Sequence, residues 1–276
     1  MTLKIAIITD IHHGPASHTK AADWQGLPVL RQFIDHAIAD EADLVLDLGD
    51  HISDTTFEND LRFAQEVAAE FKRFPGPVHH LLGNHDVVNL SIADNETIFG
   101  ALSSRVVDLG ATRLILWQPG VQFSEETGFR PTGEALDWLT QTLMDDKRPA
   151  IIATHVPVSG QSQIGSYYFE NRPHLATYPD HHDIREQVEL TGRAALWLSG
   201  HVHRNTVTSI RGIQHVTIQS MSERSTTMPD AACAYADVQI TGTSVSILVH
   251  GADPFQAKLP FLPSGSRTWL QAMPGA

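Results

Sequence analysis

Cysteine is nearly absent: Cys233 stands alone among 276 residues. No intramolecular disulfide can form, and a cysteine-based zinc site is excluded. Long apolar runs are missing too. None approaches the roughly 20 residues that a membrane helix needs, and Met1 to Ile8 is too short for a signal-peptide apolar region and runs directly into acid. The expectation is a soluble cytoplasmic protein with no membrane partner. Positive charge is scarce as well, with 19 Lys and Arg against 32 Asp and Glu and a formal net charge of -13. Coating a nucleic-acid polymer needs a basic surface to neutralise phosphates, so that partner is not expected. A small phosphate ester stays open, because a bound cation can dominate the local field. No internal repeat, heptad pattern or low-complexity run is present. Composition shows no break before about residue 251, so one domain is expected over 1–251. A proline-bearing tail, with Pro254, Pro260, Pro263 and Pro274, is expected over 252–276, as an irregular or mobile arm.

What is abundant is histidine, with 16 residues. Most of them fit a solvated surface. The informative ones follow short apolar runs. Leu3 to Thr9 is rich in β-branched residues, reads as a strand buried on both faces, and ends in Asp10-Ile11-His12-His13. Leu44 to Leu48 ends in Gly49-Asp50-His51, Val78 to Leu82 in Gly83-Asn84-His85-Asp86, Ala150 to Thr154 in His155, and Ala194 to Leu198 in Gly200-His201-Val202-His203. Helical stripes lie between them. One covers Leu27 to Ala39, with Leu30, Phe33, Ile34, Ala37 and Ile38 on it. Another covers Phe57 to Phe74 behind the N-caps offered by Ser53, Asp54, Thr55 and Thr56. A third covers Thr132 to Met144, capped by Thr132. Residues 16–26 read as a polar loop. Residues 158–182 read as a long polar and aromatic loop carrying Tyr167, Tyr168, Phe169 and Tyr178, and loops of that length in a compact domain are often functional. The closing third alternates strands with turns. Mixed sheets flanked by helices are expected.

Five polar clusters at five strand ends can converge, since sites in open α/β sheets collect beyond the carboxyl ends of the strands. Residues two apart in a strand share a face, so Asp10 with His12, and His201 with His203, would each address one centre. Carboxylates, a carboxamide oxygen and imidazoles suit Mn, Fe or Zn. Seven ligands exceed one tetrahedral ion and fit two ions if Asp50 bridges. Two cations roughly 3.5–4 Å apart can activate a water and clamp a phosphoryl group.

In this order, Asp10-x-His12, Gly49-Asp50, Gly83-Asn84-His85-Asp86, His155 and Gly200-His201-x-His203 resemble the calcineurin-like metallophosphoesterases, and in their loose spacing the class III cyclic-nucleotide phosphodiesterases. The resemblance implies a four-layer αββα sandwich of two mixed sheets. It implies Asp10, His12, Asp50 and His203 on one metal, and Asp50, Asn84, His155 and His201 on the other. His85 would stabilise the phosphate charge or protonate the leaving alkoxide, with Asp86 orienting it. The reaction implied is hydrolysis of small phosphodiesters, cyclic nucleotides included, by direct attack of a metal-bridging hydroxide. A phosphomonoesterase or nucleotide pyrophosphatase is the alternative enzyme, and a phosphoesterase-like scaffold the alternative without activity. A homo-oligomer is compatible with either. The family often has Asp three residues after the bridging Asp, where this chain has Ser53, with Asp54 one further on. Purple acid phosphatases place a ligating Tyr there, which counts against that branch. His13, Arg204 and Asn205 are further candidates for phosphate contact, and His51 and His13 are otherwise loop histidines. The aromatics of the long loop either stack on a base or sugar or pack the loop onto the body.

Overall fold

Strand burial dictates the layering. Ile5 and Ile7 alternate with Ala6 and Ile8, and all four are buried, so both faces of the first strand need a covering layer. A computed structural model, which describes residues 2–15 and 24–266, shows how they are covered. In chain order the elements are β1 (Thr2–Ile8), α1 (Gly26–Ala39), β2 (Leu44–Asp47), α2 (Phe57–Phe71), β3 (Val78–His80), α3 (Ile92–Phe99), β4 (Arg105–Asp108) and β5 (Arg113–Leu116). Next come β6 (Phe123–Ser124), β7 (Gly128–Phe129), α4 (Glu134–Asp145), β8 (Ala150–Ala153), α5 (His181–Thr191), β9 (Ala194–Ser199), β10 (Thr206–Ile210) and β11 (Ile213–Thr217). The chain closes with β12 (Tyr235–Thr241), β13 (Ser244–His250) and β14 (Phe255–Pro260).

Two six-stranded sheets result, ordered β14-β13-β12-β1-β2-β3 and β10-β11-β9-β8-β5-β4. Each mixes parallel and antiparallel pairs. Between them lies one core. Ile5, Ile7, Leu44 and Leu46 from the first sheet meet Leu114, Leu116, Ile151 and Leu198 from the second. The alternate residues face outward under helices. Ala6, Ile8 and Val45 pack beneath Leu30, Phe33 and Ile34 of α1 and Val67 and Phe71 of α2. Ile115, Ile152 and Trp197 pack beneath Leu136, Leu139 and Leu143 of α4 and Ile184 and Val188 of α5. The molecule is the expected αββα sandwich. Among the described residues, no helix is long and apolar enough to cross a membrane.

Several local expectations change. Ile38, placed on the buried stripe of α1, is 41% exposed, because the stripe narrows where the helix leaves the sheet. Thr132 does not cap α4; its hydroxyl donates to Asp180 at 2.9 Å, and Gly133 holds the cap position. Residues 16–23 of the expected polar loop, and 267–276 of the expected tail, lie outside the described residues. The tail boundary itself moves. Residues 255–260 form β14, paired antiparallel along β13, and Phe261 is buried in the inter-sheet core. The prolines misled because Pro254 precedes this edge strand and Pro260 ends it, and edge positions tolerate the missing N–H. Phe261→Ala is expected to lower the unfolding free energy by about 3–5 kcal/mol, read as a drop in the urea midpoint. An unchanged midpoint would return this end of the chain to a loose arm.

Candidate metal centre

The strand ends meet at a seam between the sheets. β1, β2 and β3 are neighbours in the first sheet, and β8 and β9 are neighbours in the second. Asp10 and His12 follow β1, Asp50 follows β2, Asn84 and His85 follow β3, His155 follows β8, and His201 and His203 follow β9. His203 Nε2 lies 3.1 Å from Asp10 Oδ1 and 3.2 Å from His12 Nε2. His12 Nε2 is 3.8 Å from Asp50 Oδ2, and His155 Nε2 is 3.3 Å from the same oxygen. Two compact triads stand out, Asp10/His12/His203 and Asp50/His155/His201.

The local backbone is not the extended strand that the two-residue spacing implied. β1 stops at Ile8 and β9 at Ser199. Asp10, His12, Asp50, His201 and His203 all take positive φ, between 47° and 68°. Non-glycine residues rarely adopt this left-handed region, at a cost of order 1–3 kcal/mol each. Each pair still addresses one region, because the residue between them, Ile11 or Val202, turns into a buried apolar pocket. The glycines act by absence of a side chain. A Cβ at Gly83 would sit 2.1 Å from Asp50 Oδ1, and one at Gly200 2.0 Å from Thr9 Oγ1 and 2.6 Å from Asp10 Oδ2. Gly83 therefore permits close approach and is not needed for a left-handed turn.

Neighbouring groups fix the rings. His155 Nδ1 donates to the Leu48 carbonyl at 2.8 Å, which leaves Nε2 facing Asp50. His201 Nε2 donates to the Leu175 carbonyl at 2.8 Å, leaving Nδ1 as its available donor atom. His203 Nδ1 donates to Glu223 Oε2 at 3.0 Å. The carboxylate of Asp10 accepts from Thr9 Oγ1 at 2.6 Å and from the His201 backbone at 3.0 Å. Such partners set the tautomer and aim of a ligating imidazole.

The role expected of Asp86 belongs to another residue. Asp86 does not touch His85. Its carboxylate accepts the backbone N–H groups of Gly83 at 2.8 Å, Asp50 at 2.9 Å and His51 at 2.8 Å, lashing the end of β3 to the end of β2. Asp54 takes the orienting position, paired with His85 Nδ1, while the His85 backbone N–H donates to Asp50 Oδ1 at 2.8 Å. The sequence signal was present one residue off, because the loop after Asp50 carries its acid four positions on. Glu223 had no motif; it arrives from the loop after β11. His51 lies in the loop after β2, as expected, but is fully buried there. It lies between Asp47 and Asp86 and stacks on Phe99 at 4.2 Å. His13 pairs with Glu66 at 2.8 Å and lines a separate cleft with Trp24 and Phe63, so it is withdrawn as a substrate contact. Asn205 is engaged elsewhere, accepting from the Gln219 backbone at 3.0 Å. Arg204 lines the cavity over the centre and donates to the Ile164 carbonyl at 3.1 Å.

That cavity holds about 510 Å³. His12, Asp50, Asn84, His85, His201 and His203 form its floor. Tyr167, Tyr168 and Phe169 of the long loop, with Phe123 and Phe129 of the β6–β7 hairpin, form one wall. Of the two roles expected of the loop aromatics, packing onto the body is the one seen. Phe169 packs its ring 5.3 Å from His201, and Tyr167 lines the cavity while donating to Glu223 at 3.0 Å.

Charge in the centre is balanced ring by ring. Burial would raise the Asp10 carboxyl, but His203 holds it down at about 2. Burial would lower His203, but Asp10 lifts it to about 10. Asp50 likewise raises His155 to about 9 against its burial. Burial, with His155 beside it, presses His201 down to about 4. Burial and His85 press His12 well below the usual histidine range. Two buried carboxylates thus face two imidazolium rings and two neutral ones.

The residues fit a pair of metal ions. Asp10 Oδ1, Asn84 Oδ1 and His155 Nε2 are buried without a well-formed hydrogen bond, and such orphaned donor atoms need a partner. The mixed oxygen and imidazole set matches first-row divalent metals. The fold and this cluster define a metal-dependent phosphoesterase. Residues 3–205 match the family model for calcineurin-like phosphoesterases, and the chain belongs to that family. A search of curated proteins finds no match. Among solved structures, a dimetal phosphatase from Danio rerio is similar with a TM-score of 0.75 and 15% identity, over 94% of this chain and 99% of that one. Purple acid phosphatase PPD1 from yellow lupin gives 0.65 and 12%, over 94% and 54%. GAP50, the anchor in the inner membrane complex of Plasmodium, gives 0.57 and 11%, over 94% and 89%. These likenesses show the fold, and the centre is binuclear in character.

The two acids following the motifs separate in their effects. Asp86→Asn puts an amide where backbone N–H groups need an acceptor and is expected to weaken metal binding by about 10–100-fold, measured by competition with a chelator. Asp54→Asn is expected to leave metal content unchanged and lower turnover by about tenfold or more. Metal loss in Asp54→Asn with none in Asp86→Asn would reverse the assignment.

Proposed function

We propose that this metal-dependent phosphoesterase hydrolyses small phosphodiesters, cyclic nucleotides among them. The lining of the cavity carries the reading. Asp54, Glu125 and Glu223 stand in it against Arg204, and one wall is aromatic. An acidic lining, offset in part where Asp54 meets His85 and Glu223 meets His203, disfavours a monoester dianion more than a diester monoanion. A lining that holds aromatic side chains as well as Ser225 and Thr226 suits the two organic arms of a diester. The base or sugar of a nucleotide would lie on the aromatic wall.

In this reading Asp10, His12, Asp50 and His203 would hold one ion, and Asp50, Asn84, His155 and His201 would hold the other. The ions, Mn, Fe or Zn, when bound would activate a water for in-line attack and offset charge on the phosphoryl oxygens. The chain's own groups do the rest. Asn84 positions a phosphoryl oxygen beside its ligating amide. Burial opposes the charge on His85, and Asp50 with Asp54 restores it, so its pKa is raised, in the direction a proton donor needs. Asp54 holds Nδ1, which turns Nε2 to the leaving oxygen. His85 sits 4.8 Å, ring to ring, from His12, close enough to serve the same phosphoryl group. Arg204 would steer the anionic centre of the substrate.

With Mn loaded, bis-p-nitrophenyl phosphate is expected to turn over faster than p-nitrophenyl phosphate. The opposite ratio would favour the phosphomonoesterase, a reading supported by the two similar structures that are phosphatases. Faster cleavage of a pyrophosphate-linked nucleotide than of either would select the pyrophosphatase. No turnover of any of these, with no bound metal, would make the chain a scaffold.

His85→Ala separates proton donation from ligation. It is expected to retain both metals and to lose about 10²–10⁴ in kcat with an alkoxide leaving group. With p-nitrophenolate, which leaves without protonation, the loss is expected to be much smaller. Equal losses on both substrates, or loss of metal, would remove the proposed role.

A further inference from the structure

A second convergence of ligand atoms lies on the other face of the first sheet. In β12 the residues Ala236, Val238 and Ile240 enter the inter-sheet core, so Tyr235 and Asp237 alternate outward toward α1. There His36, from the last turn of α1, places Nε2 3.0 Å from both oxygens of Asp237. His250, from the end of β13, places Nε2 2.7 Å from Asp237 Oδ2. The two imidazoles are 4.8 Å apart at 60°. Tyr235, the cross-strand partner of His250, stacks on that ring at 4.8 Å and 24° and leans on His36 at 5.0 Å. Phe33 backs Tyr235 at 5.5 Å. One aromatic ring therefore braces both histidines with their Nε2 atoms toward one carboxylate.

We propose that His36, Asp237 and His250 form a third metal site, taking a single zinc-class ion between α1 and the β12–β13 hairpin, separate from the binuclear centre. Two imidazoles and a carboxylate are an established zinc donor set with one position left for water. Side-chain exposures of 28%, 14% and 28% leave an open side for entry of the ion and for that water. Without an ion, the carboxylate accepts an N–H from each ring. On binding, each neutral ring carries its proton on Nδ1 and gives the Nε2 lone pair to the metal. The present spacings of 2.7 to 3.0 Å are a few tenths below the edge of a tetrahedron with bonds of about 2.0–2.1 Å, so small side-chain rotations admit the ion. The ligands come from α1 and from the β12–β13 hairpin, far from α1 in sequence, so the ion ties α1 to the sheet and stabilises the folded chain by mass action.

Two measurements decide the matter. Zinc-loaded protein, passed through gel filtration and counted by elemental analysis, is expected to carry one ion more in wild type than in the His36→Gln/His250→Gln double variant. The variant is expected to melt at a lower temperature in zinc, with phosphoesterase activity intact. Equal zinc counts in two folded proteins overturn the site. The second needs no variant. In wild type, 15N resonances of the His36 and His250 side chains are followed as zinc is added beyond the two equivalents that fill the binuclear centre. Both Nε2 signals are expected to shift together and saturate at one further equivalent, and signals that stay fixed into the millimolar range overturn the proposal whatever the variant does. A chain that binds one ion only, lost in the double variant, would keep this site and remove the binuclear one.

Discussion

Two carboxylates buried side by side set the terms for this structure. Asp10 and Asp50 are both removed from water at the seam between the sheets, and the charge of Asp50 opposes ionisation of Asp10. A pair of unpaired charges in such a place is costly. The protein answers with His203 and His155, which hold protons against their own burial. His12 and His201 stay neutral. A charged cluster of this form is already arranged for cations. Metal ions would take the place of protons on His155 and His203 and meet the orphaned oxygen of Asn84, so loading relieves a tension that the apoprotein carries.

Holding that cluster requires a backbone that would not choose its shape. Five of its residues sit at positive φ, and together they hold several kcal/mol of strain. The surrounding layers supply the restraint. Each strained residue directly follows, or lies within four residues of, a strand buried on both faces, and the strands are fixed by the core between the sheets. Short polar ties finish the work: Asp86 gathers three backbone N–H groups across two strand ends, and Ser220 and Ser222 donate to the Asp10 carbonyl at 3.0 and 3.2 Å. His51, held between Asp47 and Asp86, fixes that acid from behind. Charge placement and backbone strain are thus two faces of one constraint.

The fold was legible where a single pattern dominates. Buried strands such as Leu3 to Thr9 are β-branched runs, and the stripe of α1 spells its own period. Strand ends announce themselves because a core run stops abruptly at Asp10, Asp50, Asn84, His155 and His201. What failed to show had a physical reason in each case. The left-handed conformation of Asp10 and His12 is imposed by their neighbours and leaves no mark in residue type. Asp54 and Glu223 act through space, one from a loop a residue longer than the usual spacing and the other from a segment without a motif. The exchange of Asp86 for Asp54 at His85 could not be read off, since adjacency in sequence was mistaken for contact. Strand β14 was hidden by its own prolines, which edge strands accept.

Histidine identity alone decided little, and its placement decided much. The same imidazole serves as a ring facing carboxylates in the seam, as a buried link between acids at His51, as a salt-bridged surface residue at His13, and as half of an outward pair at His36 and His250. What separates these is whether Nδ1 is already committed. At His155 and His203 a carbonyl or carboxylate fixes Nδ1 and leaves Nε2 for the centre; at His201 the arrangement is reversed. At His51 both nitrogens face acids, Nε2 toward Asp47 and Nδ1 toward Asp86. Ligation is therefore a property of the second hydrogen bond. The strand ends place the rings, while an aromatic part of the cavity lining comes from the 158–182 loop and the β6–β7 hairpin. The two parts are linked, because the same loop supplies the Leu175 carbonyl that fixes His201 and the Tyr167 hydroxyl that donates to Glu223 behind His203.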